Sequence, residues 1–222
     1  MSLAIFDLDN TLIHGDSDYL WGQFLVEQGI VDRARHESAN ARFYDDYKQG
    51  SLDIEAFLRF ALAPLAAHPL DKLLAWRSLY IEEKIKPILL PKARALIEHH
   101  KARGDALLVI TATNRFVTEV IAGLYGISNL LATLPEWVDG RFTGRHSGIP
   151  CFQEGKVRHL DRWLEETGHS LENSWFYSDS HNDLALLQRV DHPVAVDPDE
   201  KLRQTALNND WPIISLREDH AT

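Results

Sequence analysis

The chain has 222 residues, of which 45% are hydrophobic and 25% charged, a composition that supports one large buried core and excludes an intrinsically disordered chain. Its 33 acidic and 23 basic residues give a formal net charge of −10 at pH 7, which disfavours nucleic-acid and membrane partners. The single cysteine, Cys151, excludes an internal disulfide and a C-x-x-C site. Because the sequence has no signal-peptide pattern and no apolar run of about 18 residues, we expect a cytoplasmic protein.

The predicted elements alternate between strand and helix. Leu3–Leu8 is short and apolar and ends in acidic residues, which is typical of a buried strand in a parallel sheet. Further strands are predicted at 106–110, 174–178 and 194–196, with helices at 91–104, 114–125, 155–167 and 181–189 and a hairpin at 137–148. This alternation predicts an α/β fold with a doubly wound (Rossmann-like), mainly parallel sheet.

A long segment separates the first two predicted strands. It spans about one hundred residues, although a crossover between parallel strands needs only about a dozen. From Ser17 to Lys86 the apolar residues follow helical spacing, and no strand pattern interrupts them. We therefore expect an inserted all-helical cap domain over residues 15–87, with the α/β core formed by residues 1–14 and 88–222.

Acidic residues gather after two of the predicted strands. Asp7 and Asp9 lie at the carboxyl end of the first strand and point to the same side, while Asp179 and Asp183 follow the strand that ends at Ser178. Open α/β sheets bind ligands at this carboxyl end of their strands. Hard oxygen ligands suit Mg²⁺, whereas zinc would favour His or Cys. Taken alone, Asp7 and Asp9 are equally compatible with ordinary strand-end or helix-capping acids. Taken alone, Asp179 and Asp183 are better explained as a polar strand-to-helix turn with an aspartate cap.

Two further elements could bind a phosphate group. The apolar strand at 106–110 ends in Thr111 and Ala112, whose hydroxyl and backbone amide would lie at the start of a helix. Lys156 lies at the start of a later helix. Taken singly, the first is a common helix cap and the second a common solvated lysine.

The order of these elements resembles that of the haloacid-dehalogenase superfamily. The resemblance runs from Ile5 to Leu187, and DLDNTL at residues 7–12 is its most specific part. The early helical insertion, GKV at 155–157 and SDSHNDL at 178–184 are similar to the phosphoserine-phosphatase-like branch. GDSDYLWGQFL at 15–25 resembles a bacterial group in that branch, some of whose members are described as histidinol-phosphate phosphatases.

The resemblance implies a phosphomonoesterase that works through two aspartates. Asp7 would be the nucleophile that becomes an aspartyl-phosphate. Asp9 would protonate the leaving alkoxide and then activate water, with its backbone carbonyl on the metal. Mg²⁺ would be held by Asp7, Asp9 and Asp179, with Asp183 as a further ligand or a supporting residue. The acid at Asp9 argues against a dehalogenase, which in this superfamily typically lacks it.

The resemblance also implies a phosphate site and two departures from the branch. Thr111, the Ala112 amide, Lys156 and Asn182 would bind the phosphoryl oxygens. Where the phosphoserine enzymes usually carry Ser-Gly-Gly and Gly-Asp-Gly, this chain has Thr-Ala-Thr at 111–113 and Ser-Asp-Ser at 178–180. Specificity for phosphoserine therefore does not follow from the resemblance.

The cap is expected to choose the substrate, a small phosphorylated metabolite. Asp16 aligns with a family position where an acid meets the substrate amine, and together with Asp18 and Trp21 it could form an acidic, aromatic wall. Both acids could instead be favourable residues at a helix start. A carboxylate-bearing substrate would need an arginine, and the cap offers Arg42, Arg59 and Arg77.

Two alternative functions remain open at this stage. A phosphomutase of the same superfamily would use the same pair of acids and return the phosphoryl group to a sugar. A non-enzymatic module could use an aspartate-lined pocket as a metal- or phosphate-dependent switch. The sequence does not indicate an oligomeric state.

Overall fold

The structure, a computed structural model, describes residues 2–217; Met1 and residues 218–222, which the predicted core includes, lie outside the described residues. The described residues form a seven-stranded sheet in the order β4-β3-β2-β1-β5-β6-β7. The strands are Leu3–Phe6 (β1), Ala106–Asn114 (β2), Asn129–Val138 (β3), Arg141–Ser147 (β4), Trp175–Ser178 (β5), His192–Val196 (β6) and Ile213–Ile214 (β7).

All neighbouring strands pair in parallel except β3 and β4. The helices are Ser17–Glu27 (α1), Arg33–Gln49 (α2), Ile54–Ala67 (α3), Leu70–Tyr80 (α4), Pro91–Ala102 (α5), Arg115–Leu124 (α6), Glu154–Thr167 (α7), Leu184–Leu187 (α8) and Glu200–Asn208 (α9). This confirms the predicted doubly wound α/β fold. None of the described helices is long and apolar enough to cross a membrane.

The central strand β1 is buried on both faces, which explains its unbroken apolar sequence. Leu3 and Ile5 pack into a cluster with residues of α7, α8 and α9, whereas Ala4 and Phe6 pack into a second cluster with residues of α5 and α6. The alternation of side chains along the strand therefore places helices on both faces of the sheet. The strand ends at the acidic residues, so its carboxyl end opens directly onto the candidate site.

The helices α1–α4 are inserted between β1 and β2, and the chain leaves and re-enters the core side by side. Ile13 forms an antiparallel bridge with Leu89. The Tyr125 hydroxyl accepts a hydrogen bond from the Leu90 amide at 3.1 Å and donates one to the Leu12 carbonyl, so one buried phenol joins both connecting segments. After α4 the chain passes through a π-helical turn, Ile81–Ile85, before it reaches this junction. The domain boundaries at 14/15 and 87/88 stay predictions.

Two predicted elements have different bounds in the structure. Strand β2 continues to Asn114, so Thr111 and Ala112 belong to the strand and do not open a helix. Asn114 instead caps α6, because its side-chain oxygen accepts from the Val117 amide at 3.3 Å. The predicted hairpin begins earlier than expected, because the apolar stretch from Leu130 and the first hairpin strand are one continuous β3.

Candidate active site

A cavity of about 230 Å³ lies at the carboxyl ends of β1, β2 and β5 and is closed on the opposite side by cap residues from Asp16 to Phe57. Ligands bind at this end of open α/β sheets. The structure brings nearly all of the predicted site residues to this cavity. Those that line it are Asp7, Asp9, Asp16, Asp18, Thr111, Ala112, Lys156, Asp179, Asn182 and Asp183.

Lys156 is the electrostatic centre of the cavity. Its Nζ donates to Asp7 Oδ1 at 2.7 Å and to the Asp183 carboxylate at 2.8 Å, and the residue is only 4% exposed. Burial alone would lower the pKa of Lys156, but the carboxylates of Asp183 and Asp7 hold it well above its usual range. Gly155 makes this position possible, because a Cβ there would lie 2.0 Å from the Pro150 carbonyl oxygen. Lys156 is therefore a buried, charged partner of two carboxylates, in contrast to a solvated lysine.

Asp7 follows β1 directly and is 7% exposed. Its amide donates to the Tyr177 carbonyl at 2.9 Å, which extends the pairing of β1 with β5 beyond the end of the strand. Burial raises the pKa of Asp7 to about 7, against the lowering effect of Lys156. The backbone and Lys156 thus fix a carboxylate at the centre of the site.

The Asp9 carboxylate is held between the cap and the core. Its Oδ1 accepts from the Ser17 amide at 2.6 Å, at the start of α1, and its Oδ2 accepts from Thr113 Oγ1 at 2.9 Å, at the end of β2. Burial and the nearby Asp16 raise the pKa of Asp9 to about 6. Thr113 occupies one of the positions at which the chain departs from Ser-Gly-Gly. A glycine at this position would have no hydroxyl to donate to Asp9.

Asp179 and Asp183 lie on the turn that follows β5. Asp183 accepts from Ser178 Oγ at 2.7 Å as well as from Lys156. The Asp179 carboxylate accepts a long hydrogen bond, 3.3 Å, from Thr11 Oγ1. Burial, Asp7 and Asp183 raise the pKa of Asp179 well above its usual range. Asp179 is therefore a carboxylate with little compensation from its neighbours.

The residues present fit a magnesium ion held through oxygen ligands. Within residues 2–217, no group of three or more His, Cys, Asp or Glu side chains is arranged to hold a metal ion. The carboxylate of Asp9 is engaged by Ser17 and Thr113, and that of Asp183 by Lys156 and Ser178. Lys156 binds one oxygen of Asp7, Oδ1, and Asp179 accepts a long hydrogen bond from Thr11, so these two carboxylates are less engaged than those of Asp9 and Asp183. Two carboxylates completed by waters and backbone oxygen are typical of Mg²⁺.

The predicted phosphate-binding residues Thr111 and Asn182 each have hydrogen-bonding partners within the protein. Thr111 is 1% exposed, and its Oγ1 accepts from the Thr113 amide at 3.2 Å. The Asn182 side chain accepts from Gln153 Nε2 at 2.9 Å and donates to Ser180 Oγ at 3.3 Å. Gln153 has a φ of 46°, and its bond to Asn182 was not foreseen from the sequence.

Of the three predicted specificity residues on the cap side, Asp16 and Asp18 line the cavity and Trp21 does not. Asp16 caps α1, with its Oδ1 accepting from the amides of Asp18 and Tyr19 at 2.9 Å. Asp18 accepts from Asn114 Nδ2 at 3.2 Å, and burial, Asp16 and Asp9 raise its pKa to about 8.

Trp21 does not line this cavity. It is 2% exposed and stacks on Phe24, with ring centroids 5.7 Å apart, and it meets the edge of Tyr80. The placement of Trp21 therefore corrects the expected acidic, aromatic wall: the indole belongs to the core of the cap, because helical spacing alone does not tell a cavity-facing aromatic residue from a packed one.

Comparisons with known proteins show which family this chain resembles. The family model described as haloacid dehalogenase-like hydrolase matches residues 4–188. A histidinol-phosphatase from Neisseria meningitidis is 45% identical over 220 residues, which cover 97% of this chain and 99% of that protein. The phosphoserine phosphatase SerB1 of Mycobacterium tuberculosis is 33% identical over 217 residues, 96% of this chain and 70% of that protein.

A solved structure is also similar over nearly the whole chain. A Bordetella pertussis protein of unknown function matches with a TM-score of 0.92 and 42% identity, and the match covers 97% of this chain and 99% of that one. The relatives therefore share the insertion as well as the sheet.

Proposed function

The chain belongs to the haloacid dehalogenase-like hydrolase family, and from this membership we propose that it is a Mg²⁺-dependent phosphatase that hydrolyses a small, amine-bearing phosphate monoester through an aspartyl-phosphate on Asp7. One observation carries the proposal: a buried lysine binds the carboxylate of Asp7 at 2.7 Å, at the carboxyl end of the central strand. A carboxylate is a poor nucleophile towards a phosphate dianion, so it needs a neighbouring positive charge to attack.

In the first step, Asp7 attacks phosphorus and the bond from phosphorus to the leaving oxygen breaks. Lys156 contributes positive charge next to the attacking carboxylate and the transferred group. Bound Mg²⁺ would supply further charge neutralisation at the Asp7 and Asp179 carboxylates and at the phosphoryl oxygens. The donors expected to position those oxygens are Thr111, the Ala112 amide and Asn182, all of which line the cavity.

Asp9 is the group proposed to move the proton. In its protonated form it donates to the leaving alkoxide, and as the carboxylate it takes a proton from the water that then hydrolyses the aspartyl-phosphate. A pKa of about 6 allows both forms near neutral pH. The Ser17 amide and Thr113 hydroxyl orient the carboxylate for this exchange.

The charges around the cavity favour an amine-bearing leaving group over a carboxylate-bearing one. Arg42 and Arg59 line a separate groove on the cap, and Arg77 is bound to the Phe116 carbonyl at 2.7 Å. Asp16 and Asp18 also line the cavity, and burial raises the pKa of both carboxyl groups, so a nearby cation would favour their negatively charged forms. A cationic leaving group would offset that charge.

Two further basic residues lie nearby: Lys48 lies over the Tyr44 ring at 4.1 Å, and Arg33, which lines the adjoining pocket, is paired with Glu37 at 3.0 Å. That pocket, of about 520 Å³ between α1 and α2, shares Asp16, Tyr19 and Tyr44 with the cavity. This pocket gives room for a leaving group larger than serine. Histidinol phosphate, which has an amine and no carboxylate, is therefore the substrate we expect to be preferred over phosphoserine.

The proposal is tested by phosphate release from histidinol phosphate, phosphoserine, phosphoethanolamine and several sugar phosphates, each with Mg²⁺ or EDTA. We expect one amine-bearing ester to be preferred and its turnover to be lost in EDTA and in Asp7→Asn. Asp161→Asn is a matched control, because Asp161 pairs with Arg189 on the far side of α7. No release from any substrate by a folded, Mg²⁺-loaded sample would defeat the proposal.

A further inference from the structure

The turn that carries Asp179 and Asp183 is held by a residue from a different part of the chain. Asp199 lies after β6, and its amide donates to the Asp179 carbonyl at 2.8 Å. Its carboxylate Oδ2 accepts from the His181 amide at 2.7 Å. Asp199 therefore binds the turn on both sides of Ser180, through its own amide on one side and through its carboxylate on the other.

The His181 ring adds a third bond to the same carboxylate, with Nδ1 2.7 Å from Asp199 Oδ2. Asp199 is itself fixed, because its Oδ1 accepts from the Leu202 amide at 2.8 Å and so caps α9. An ionised carboxylate can only accept hydrogen bonds, so the hydrogen of the ring lies on Nδ1. The other ring nitrogen, Nε2, is buried without a hydrogen-bond partner in the described residues.

The free edge of the His181 ring faces the end of a cap helix. A Cβ at Gly50, directly after α2, would lie 3.1 Å from His181 Nε2. Next to it, Lys201 Nζ donates to the Gln49 carbonyl at 3.1 Å. On the turn itself, Tyr47 donates its hydroxyl hydrogen to Ser180 Oγ at 3.1 Å. The carboxyl end of α2 therefore contacts the same turn that Asp199 binds.

We propose that Asp199 and His181 are positioning residues for this turn: they hold the Asp179 carboxylate where it can bind a divalent cation, and His181 joins the turn to the end of α2. Neither residue needs to touch the reacting atoms. The proposal deepens the proposed function, since it rests on Asp179 as a cation ligand, and its test is a binding measurement as well as a rate.

The test measures the Mg²⁺ dissociation constant by calorimetry on the full chain, together with kcat and KM. Partners that orient metal ligands are typically worth about 10-fold to 100-fold in metal affinity. We expect Asp199→Ala to weaken Mg²⁺ binding by about 10-fold or more, on that basis. Asp199→Asn should lose less, because its side-chain oxygen can still accept one amide, and His181→Ala should lose least, because the backbone bond to Asp199 remains.

Two further variants separate positioning from a general loss of structure. His181→Asn places a side-chain amide where Nδ1 lies, so it should recover Mg²⁺ affinity relative to His181→Ala. Asp53→Ala is the matched control, because Asp53 caps α3 through the Ala56 amide at 3.0 Å in the same way that Asp199 caps α9. It should lower the melting temperature without changing Mg²⁺ affinity.

The outcomes of the test are distinguishable. Wild-type Mg²⁺ affinity in a folded Asp199→Ala variant overturns the inference and leaves the proposed phosphatase untouched. Equal losses of Mg²⁺ affinity in Asp199→Ala and Asp53→Ala overturn it as well, because they would report a capping effect alone. Absence of Mg²⁺ binding by the wild-type chain would defeat the proposed metal dependence and this inference together.

Discussion

Both ends of the central sheet bury polar side chains. At the amino end these side chains have hydrogen-bonding partners, whereas at the carboxyl end the acidic residues outnumber the cations. At the amino end, the imidazole of His100 lies between the Asp105 carboxylate and the Tyr177 hydroxyl, with both contacts at 2.8 Å. Arg103 also donates to Asp105, at 3.1 Å. The imidazole and the carboxylate each have partners, and fully paired buried networks stabilise a fold.

At the carboxyl end, acidic residues outnumber their partners. Desolvation raises the pKa of several carboxyl groups there, and they lie near one buried cation, Lys156. The groups with raised pKa are Asp7, Asp9, Asp16, Asp18 and Asp179. The comparison shows that the same sheet uses paired polar groups for stability at one end and leaves charge uncompensated at the other, which is typical of functional sites.

The largest expected effect is on turnover at the carboxyl end. Asp7→Asn removes the proposed nucleophile but keeps the size of the side chain, so we expect phosphate release to fall by at least about 10³-fold. Because the substitution also removes a buried carboxylate whose pKa is raised, we expect the metal-free melting temperature to stay the same or rise. A large fall in both phosphate release and melting temperature would show that Asp7 stabilises the fold, contrary to the difference inferred between the two ends.

At the amino end the opposite pattern is expected. Asp105→Ala leaves His100 Nδ1 without its partner in a site where the Asp105 side chain is 5% exposed. The free energy of unfolding should fall by about 1–3 kcal/mol, the cost of an unsatisfied buried group. Urea unfolding and phosphate release measured on the same samples test this. A changed kcat in the folded fraction would show that the two ends are coupled.

A smaller effect is expected at Thr113. Thr113→Val keeps the shape of the side chain and removes the hydroxyl that donates to Asp9. We expect kcat for an alkyl phosphate to fall about tenfold, equivalent to about 1.4 kcal/mol. An aryl phosphate should lose less, because its leaving group needs little protonation. Thr113→Ser should restore the rate, and equal losses for both substrates would argue against orientation of a general acid.

The smallest expected effect is a shift in melting temperature with pH. A raised pKa means that the folded, metal-free chain holds protons that the unfolded chain loses near pH 4. These groups therefore destabilise the metal-free fold increasingly as the pH rises from about 4 through their folded pKa values, about 6 for Asp9 and about 7 for Asp7.

Divalent cations bind the ionised carboxylates and offset this loss. The rise in melting temperature on adding Mg²⁺ should consequently be larger at pH 8 than at pH 5.5, and smaller at both in Asp7→Asn. Differential scanning fluorimetry measures it, with Asp53→Asn as the control. A pH-independent rise in the wild-type chain would mean that these carboxylates do not take part in cation binding.

The convergence of the core residues was predictable because the topology requires it. Residues directly after neighbouring parallel strands meet at one edge of a sheet, so Asp7 and Asp179 had to be close once the strands were recognised. The fold could be predicted for the same reason, since strands and helices alternate along the core. The resemblance to the haloacid-dehalogenase superfamily implied which lysine to choose among many.

Other parts of the site depend on packing that a sequence pattern does not record. Trp21 has the spacing of a residue near Asp18 but packs on Phe24, and only the structure distinguishes these two cases. The bonds from Asp199 to the Asp179 turn join residues that are far apart in the chain and carry no shared motif. The extension of β2 to Asn114 was missed because helix-capping residues and strand-end residues are of the same types.

The junction between Ile13 and Leu89 has a consequence for how the molecule could be altered. The inserted segment leaves the core at Ile13 and returns to it at Leu89, which are paired with each other. Its length therefore does not affect the register between β1 and β2. The entropic cost of closing such a loop grows only slowly with length, by about 0.6 kcal/mol per doubling. The segment between these two residues is thus an exchangeable module. Helical segments of quite different size, transplanted with Tyr125 left in place to join their ends, should be tolerated by the same sheet.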